Sequence, residues 1–449
     1  MADSPDAAIR ACRGSGVLLL LGAPPLAHVS VDTFSFSPTA ACAGVKLLAP
    51  GVHLLSSASR EGGVRSWQWF EVLQGGSAHV ARWDARVEAF SITASDSPRA
   101  LPGVCASADD AELMRAARDL KFDASLGALP ADSQRAWAEL TRHVSAAVIA
   151  RVVGARAGVG AARDVAPGVA AELAGASIDA IGDDACLKFM PLAGVARGAT
   201  ASARAMHARD SSSALVGAIA DLCATSCGGD AARAAAEFMG EAEAAFALAL
   251  CGDSFAGLEA WKARADAALR AESLLLGGVP EEVEIEVVGE AGSRVRAAAS
   301  GALDAEWFED MLGRVLPAQL LLLPPDFFTA EITNDAFLAP ALRSLLRTTG
   351  SPPSPAAPLA ARATRVAAGR ILDTARAHFG WRPPMGARGS GDDAVDALCA
   401  GAPPPCSKAR RASLEGFQTM DELLAALAEE GGDGDLPVIV GEARSDPNI

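Results

Sequence analysis

The front of the chain alternates short apolar runs with turn residues. Between residues 14 and 100, segments rich in Val, Leu, Ile, Phe and Trp recur at short spacing, and Gly and Pro pairs separate them. Several β-prone runs bounded by turn signals predict a sandwich or a barrel. The predicted strands are Val17–Leu21, His28–Phe36, Gly44–Leu48, Gly51–Leu55, Ser66–Leu73, His79–Trp83 and Val87–Ile92.

The periodicity of the apolar residues changes after Asp109. From Leu113 to Leu120 they recur at helical spacing, with Ser107 or Asp109 as the predicted cap. A second helix is predicted after Pro130, with four apolar residues on one face: Trp137, Leu140, Val144 and Val148. Residues 154–185 are rich in Ala and Gly and weakly patterned, which predicts a linker.

The back half has helical periodicity from about residue 200 to 382. Two apolar stripes flank Gly252, which predicts a helix stop and an antiparallel helix pair. Further helices are predicted at 303–323, 334–348 and 357–379. An acidic insertion at 281–290 is predicted to be a solvated loop.

These patterns together predict an α+β protein of two domains. The predicted N-terminal domain, residues 14–153, is β-sandwich-like with closing helices, and 154–199 is a linker. An all-α domain covers 200–385, and 386–449 is a flexible tail with a short amphipathic helix at 419–429 and a terminal β-prone segment.

Composition narrows the compartment and the partners. The net charge of −16 disfavours direct binding of nucleic acid and favours a basic protein surface, although the acidity also aids solubility. The nine Cys form no disulfide framework, which fits a reducing compartment. The apolar run at Val17–Leu21 resembles the core of a signal peptide, but it is short, Pro24-Pro25 follow it and two Asp precede it, so a buried strand is the better interpretation. No stretch approaches the roughly 20 apolar residues that a membrane span needs.

The sequence contains no pattern that predicts catalysis. It has no Walker loop, nucleophile elbow, His-Glu-x-x-His or EF-hand pattern, and its six His are dispersed. Cys223 and Cys227, four residues apart, lack a second ligand pair and are read as small core residues. We therefore predict a non-enzymatic protein with no catalytic residues, no metal, no cofactor and no small-molecule substrate.

Two features near the C-terminus are candidate contact or modification sites. The run Leu436-Pro437-Val438-Ile439-Val440 suits addition of a strand to a partner's sheet edge, and the alternative is a loose chain end. Ser413 follows two Arg in a pattern typical of basophilic kinase sites, and the alternative is an unmodified loop.

Five blocks of residues follow one another along the chain. They are Val17–Pro24 with Asp32 and Phe36, Gly44–His53, Ala81–Asp84 with Glu88, Phe122–Gly127 leading to Trp137 and Arg151, and Gly240–Phe246 with Phe255 and Glu259–Lys262. In this order they resemble the AAR-two splicing-factor family. Gly44–His53 resembles the family's GxKxxPPGxH segment, with Ala49 in the place of a usual proline. Later echoes occur at 325–328, 335–338 and 379–381, and the terminal run at 436–440 resembles the family's apolar tail.

The resemblance implies an assembly factor of the U5 small nuclear ribonucleoprotein with a VHS-like helical domain. It implies binding to the large U5 scaffold protein at its RNase-H-like and MPN-like domains, and exclusion of the U5 helicase and RNA during cytoplasmic maturation. It also implies that Leu436, Val438, Ile439 and Val440 contact the partner, and that phosphorylation releases the complex. We therefore expect a cytoplasmic protein, with the nucleus as a second compartment.

Two other hypotheses stay open. A VHS-like adaptor in trafficking would bind sorting peptides or membranes, although the helical half has no basic patch for membrane docking. A hydrolase whose site assembles only in three dimensions would require a pocket with convergent titratable groups.

Overall fold

A computed structural model describes residues 12–39, 42–86, 88–92, 107–153, 187–192, 200–278, 290–325, 327, 338–350 and 358–382. Within these residues the chain forms two compact units, which divide between Trp137 and Ala138. We call them the β unit and the helical unit. This agrees with the predicted order of a strand-rich front and a helical back, while the predicted domain borders at 153, 199 and 385 stay predictions.

Among its described residues, the β unit contains nine strands in two sheets. One sheet has the order β8-β7-β1-β4-β9 and the other β3-β2-β5-β6. The pairs β1–β7 and β4–β9 are parallel, and the remaining pairs are antiparallel. The strands are β1 Gly16–Leu21, β2 His28–Val31, β3 Phe34–Phe36, β4 Gly44–Leu48, β5 Gly51–Ala58, β6 Ser66–Val72, β7 Ala78–Asp84, β8 Ala89–Ile92 and β9 Leu126–Ala128.

The continuous apolar run of β1 follows from its central position. Leu18 and Leu20 point into a core between the two sheets, and Val17 and Leu19 point into a second core on the other face. A strand buried on both faces cannot alternate with polar residues, so it forms an uninterrupted apolar segment. Helix α1, Ala108–Arg118, covers the second face.

Two helices follow the β unit's last strand. Helix α2, Ala131–Leu140, places Trp137 against the four-stranded sheet, where its ring lies 6.0 Å from that of Trp69. Helix α3, Ala146–Val153, belongs to the helical unit. Residues 141–145 therefore interrupt the helix, whereas the sequence had predicted one continuous helix after Pro130.

The helical unit also contains ten further helices among its described residues. They are α4 Ala201–Arg209, α5 Ser212–Thr225, α6 Ala231–Gly252, α7 Phe255–Leu269, α8 Glu272–Leu275, α9 Glu290–Ala302, α10 Ala305–Asp310, α11 Leu316–Leu320, α12 Leu338–Gly350 and α13 Pro358–Phe379. A π-helical turn, Met311–Val315, joins α10 to α11. None of the described helices is long and apolar enough to cross a membrane.

Helix α6 is the centre of the helical unit. Most of its residues are buried, and alanines on several faces allow α5, α7 and α9 to pack against it. The helix ends at Gly252, as predicted, and Asp253 closes it in the left-handed conformation with φ of 51°. At Gly240 the helix lies close to the chain at His143, because an added Cβ would clash with the carbonyl oxygen of that residue and lie 3.0 Å from its carbonyl carbon.

Candidate functional site

The predicted partner-binding and modification residues lie outside the described residues. These are Leu436, Val438, Ile439, Val440 and Ser413. The acidic segment 281–289 and most of the predicted linker also lie outside them. What the structure describes is where the residues of the five sequence blocks meet.

A buried ion pair joins the first two blocks in the β unit. Asp32, in the turn after β2, lies 2.7 Å from Nδ1 of His53 on β5, and its other oxygen accepts from the Leu54 N–H at 3.0 Å. Nε2 of His53 lies 2.7 Å from the carbonyl oxygen of Ala49. Both ring nitrogens therefore face acceptors, and only the protonated imidazole can donate to both of them. Burial opposes the charge, but the carboxylate of Asp32 outweighs it and raises the pKa of His53 above 6.5.

The second block makes two more contacts with the fourth. The Nζ of Lys46 lies 2.7 Å from a carboxylate oxygen of Asp123 and donates to that residue's carbonyl oxygen at 3.0 Å. The indole N–H of Trp137 donates to the carbonyl oxygen of Val52 at 2.8 Å. These contacts attach the segment after α1, and helix α2, to the two sheets.

The helical unit contains a buried ion-pair network centred on Glu241. This carboxylate is fully buried on α6 and accepts from the guanidinium groups of Arg151 on α3 and Arg264 on α7. Arg151 also pairs with Glu237 at 3.2 Å. Burial lowers the pKa of Arg264, and the charge of Glu241 opposes that effect. The network fixes α3, α6 and α7 together.

His143, just before α3, is held between two carboxylates. Its Nδ1 lies 2.8 Å from Glu243 and its Nε2 lies 2.9 Å from Asp310, the last residue of α10. Its backbone N–H also donates to Glu243 at 2.6 Å. Burial alone would lower the pKa of His143, but the hydrogen bond and charge of Glu243, together with Asp310, raise it.

The contacts of His53 and His143 suit a structural role and do not suit a role as a general base. A general base needs a ring nitrogen with a free lone pair, and both nitrogens of His53 and of His143 face acceptors. Within the described ranges no group of three or more His, Cys, Asp or Glu is placed to hold a metal ion. Cys223 and Cys227 are buried, and burial, with Glu237 beside it, raises the pKa of the Cys227 thiol to about 11.

Four large apolar side chains in the described part of the chain are exposed. In the β unit these are Leu26 (77 %) and Val64 (90 %), and in the helical unit Phe255 (52 %) and Leu321 (48 %). Leu26 precedes β2 and Val64 lies in the β5–β6 hairpin. Since His28 pairs with Ala58, both side chains lie at the same end of the four-stranded sheet. Exposed apolar residues that occur singly are normal on protein surfaces and do not by themselves indicate a contact surface.

In the described residues a two-sheet β unit is followed by an all-helical unit, and buried ion pairs join elements within each of them, which defines the class as a two-unit α+β protein. Comparison with family models identifies the family. Residues 14–154 match the AAR2 N-terminal domain, and residues 189–383 match the AAR2 C-terminal repeat region. The chain therefore belongs to the AAR2 family, as the ordered blocks predicted. A search of curated proteins found no match.

Family membership defines the role at a coarse level. The family acts in splicing, in assembly of the U5 small nuclear ribonucleoprotein with a partner protein, and is known as an assembly factor rather than an enzyme. Many residues of the five blocks are those that join distant elements. The blocks included Arg151 and Glu241 but gave no indication of Arg264, the second partner of Glu241, which lies 23 residues from it.

Proposed function

We propose that this protein binds the large U5 scaffold protein at its RNase-H-like and MPN-like domains. In this position it keeps the U5 helicase and RNA from binding before assembly is complete. The observation that supports the proposal is the match of both family domains over most of the chain. The net charge of −16 favours a basic, RNA-binding protein surface as the partner.

The terminal run is the proposed contact strand. Leu436, Val438, Ile439 and Val440 form a β-prone segment that follows an acidic, Gly-containing spacer. Addition of a strand to a sheet edge gains affinity from backbone hydrogen bonds, and alternate side chains occupy pockets. Because Val438 and Val440 are two apart, they would face the same side of such a strand.

Size-exclusion chromatography with the two recombinant scaffold domains tests the proposal. Co-elution at micromolar concentration is the expected result, and separate elution would refute it. Truncation before Asp435 removes the strand, whereas truncation after Val440 keeps it and is the matched control. The first truncation should weaken binding about tenfold or more, equivalent to about 1.4 kcal/mol, and leave the melting temperature nearly unchanged.

Phosphorylation of Ser413 is the proposed means of release. A phosphate beside Arg410 and Arg411 would add negative charge to a segment that already lies in an acidic chain. Ser413→Asp should weaken scaffold binding relative to Ser413→Ala; equal affinities would remove Ser413 from the proposal. We place the complex in the cytoplasm, with passage to the nucleus after assembly.

A trafficking adaptor is the second candidate, because the family resemblance implies a VHS-like helical domain and such domains also serve in trafficking. That role requires sorting peptides or membranes as partners. Sedimentation with liposomes containing anionic lipid separates the two functions. Pelleting would favour the adaptor, and failure to pellet together with scaffold binding would favour the assembly factor.

A further inference from the structure

A short stretch of the helical unit, residues 187–192, is in neither helix nor strand and lies against helices of the same unit. Two buried side chains bracket the backbone of Met190: its N–H donates to Glu241 at 3.0 Å, and its carbonyl oxygen accepts from Arg264 at 2.8 Å. Both backbone hydrogen-bonding groups of Met190 are therefore bound by side chains of the helices.

One aromatic ring of the same stretch adds to this contact. The guanidinium carbon of Arg264 lies 5.0 Å from the ring centroid of Phe189 and 5.5 Å from that of Phe238. Phe238 is fully buried in α6, whereas Phe189 is half-buried and comes from the stretch. Both distances are those of a cation–π interaction, which is strong for a desolvated guanidinium.

Helices of the unit hold Glu241 and Arg264 in place independently of the stretch. Glu241 is also held by Arg151, and Arg264 donates from Nε to Glu241 at 3.1 Å and from Nη1 to the carbonyl oxygen of Ala260 at 3.1 Å. With the stretch in place, Glu241 is fully buried and Arg264 is 2 % exposed. A pair fixed by the protein's own helices is pre-organised for a ligand.

We infer that Glu241, Arg264 and Phe238 form a peptide-binding site of the helical unit, and that residues 187–192 are its built-in ligand. The ligand class is an extended peptide with an aromatic residue followed by a residue whose backbone N–H is free. Recognition uses backbone groups and one ring, so the same chemistry presented by a separate peptide binds there too. A tethered ligand acts at an effective concentration of about millimolar, so the resident stretch normally excludes it.

The test uses the full chain with Phe189→Ala and Met190→Pro combined. Alanine removes the ring, and proline removes the N–H that donates to Glu241. The probe is a fluorescein-labelled peptide with the sequence of residues 186–193, followed by fluorescence anisotropy. This variant should bind the probe at least about tenfold more tightly than the unmodified chain. A probe carrying the same two changes is the matched control and should not bind.

Equal binding to the variant and the unmodified chain, or indifference to the changes in the probe, would overturn the inference. Hydrogen exchange on the unmodified chain decides the matter if the variant fails to fold. The Met190 amide should exchange about tenfold or more faster than the amides of α6, because a ligand opens before the core does. Exchange at the rate of α6 would show that the stretch is an inseparable part of the helical core.

Discussion

Replacement of Glu241 by Gln tests whether the buried ion-pair network holds the helical unit together. Gln keeps the size of the side chain, removes its charge and turns one acceptor oxygen into a donor. Glu241 accepts from Arg151 at one oxygen and from Arg264 and the Met190 N–H at the other, so both of its oxygens are engaged. In the described part of the chain it is the one carboxylate paired with Arg264, which is 2 % exposed.

Removal of one member of a buried ion pair leaves an uncompensated charge, which costs about 3–5 kcal/mol. For a unit of this size the melting temperature should fall by about 6–20 °C. Far-ultraviolet circular dichroism follows the melt. The matched control is Glu259→Gln on α7, whose pair with Lys262 is half-exposed and contributes about 1 kcal/mol at most. Melting temperatures of the two variants within about 2 °C of each other would refute the reasoning.

Three further predictions concern other contacts, each measured by denaturant or thermal unfolding. Gly240→Ala should destabilise the helical unit by about 1–3 kcal/mol, because the added methyl group clashes with the chain at His143. Gly301→Ala has open space around it and should stabilise the unit by up to about 1 kcal/mol. Equal effects of the two changes would contradict the packing described at Gly240. Trp137→Phe should cost about 0.5–1.5 kcal/mol more than Trp69→Phe, because the indole N–H of Trp69 has no partner to lose. The pKa of His53 is raised in the folded state, so its contribution to the free energy of unfolding is complete below about pH 6.5 and is lost as pH rises through the folded-state pKa. His53→Gln should make the free energy of unfolding fall less steeply with rising pH. An unchanged slope would exclude His53 as the source of that fall.

The strand content was predictable because the apolar runs and the Gly and Pro pairs lie next to one another in the sequence. One predicted strand differs from the structure because of the backbone conformation of a single residue. The predicted strand His28–Phe36 is two strands, since Asp32 adopts φ of 59° and reverses the chain between Val31 and Phe34. Apolar residues continue on both sides of that turn, so the hydrophobic pattern does not reveal it.

The contacts of the site were not predictable from spacing. Asp32 and His53 lie 21 residues apart, and Arg151 and Glu241 lie 90 residues apart. Each of these residues belonged to a block that resembled the family, but no periodicity connects the two members of a pair. Only the fold brings them together, and this is why a charged residue such as Glu241, normally expected at the surface, is fully buried.

The buried indoles make tryptophan fluorescence a probe of unfolding that tyrosine emission does not obscure. The chain has seven Trp and no Tyr, so its near-ultraviolet emission comes from tryptophan alone. Trp69 and Trp137 lie in the β unit, whereas Trp261 and Trp307 lie in the helical unit. Variants that keep indoles in only one unit would therefore report the unfolding of each unit separately, by the shift of emission from a dry to a wet environment.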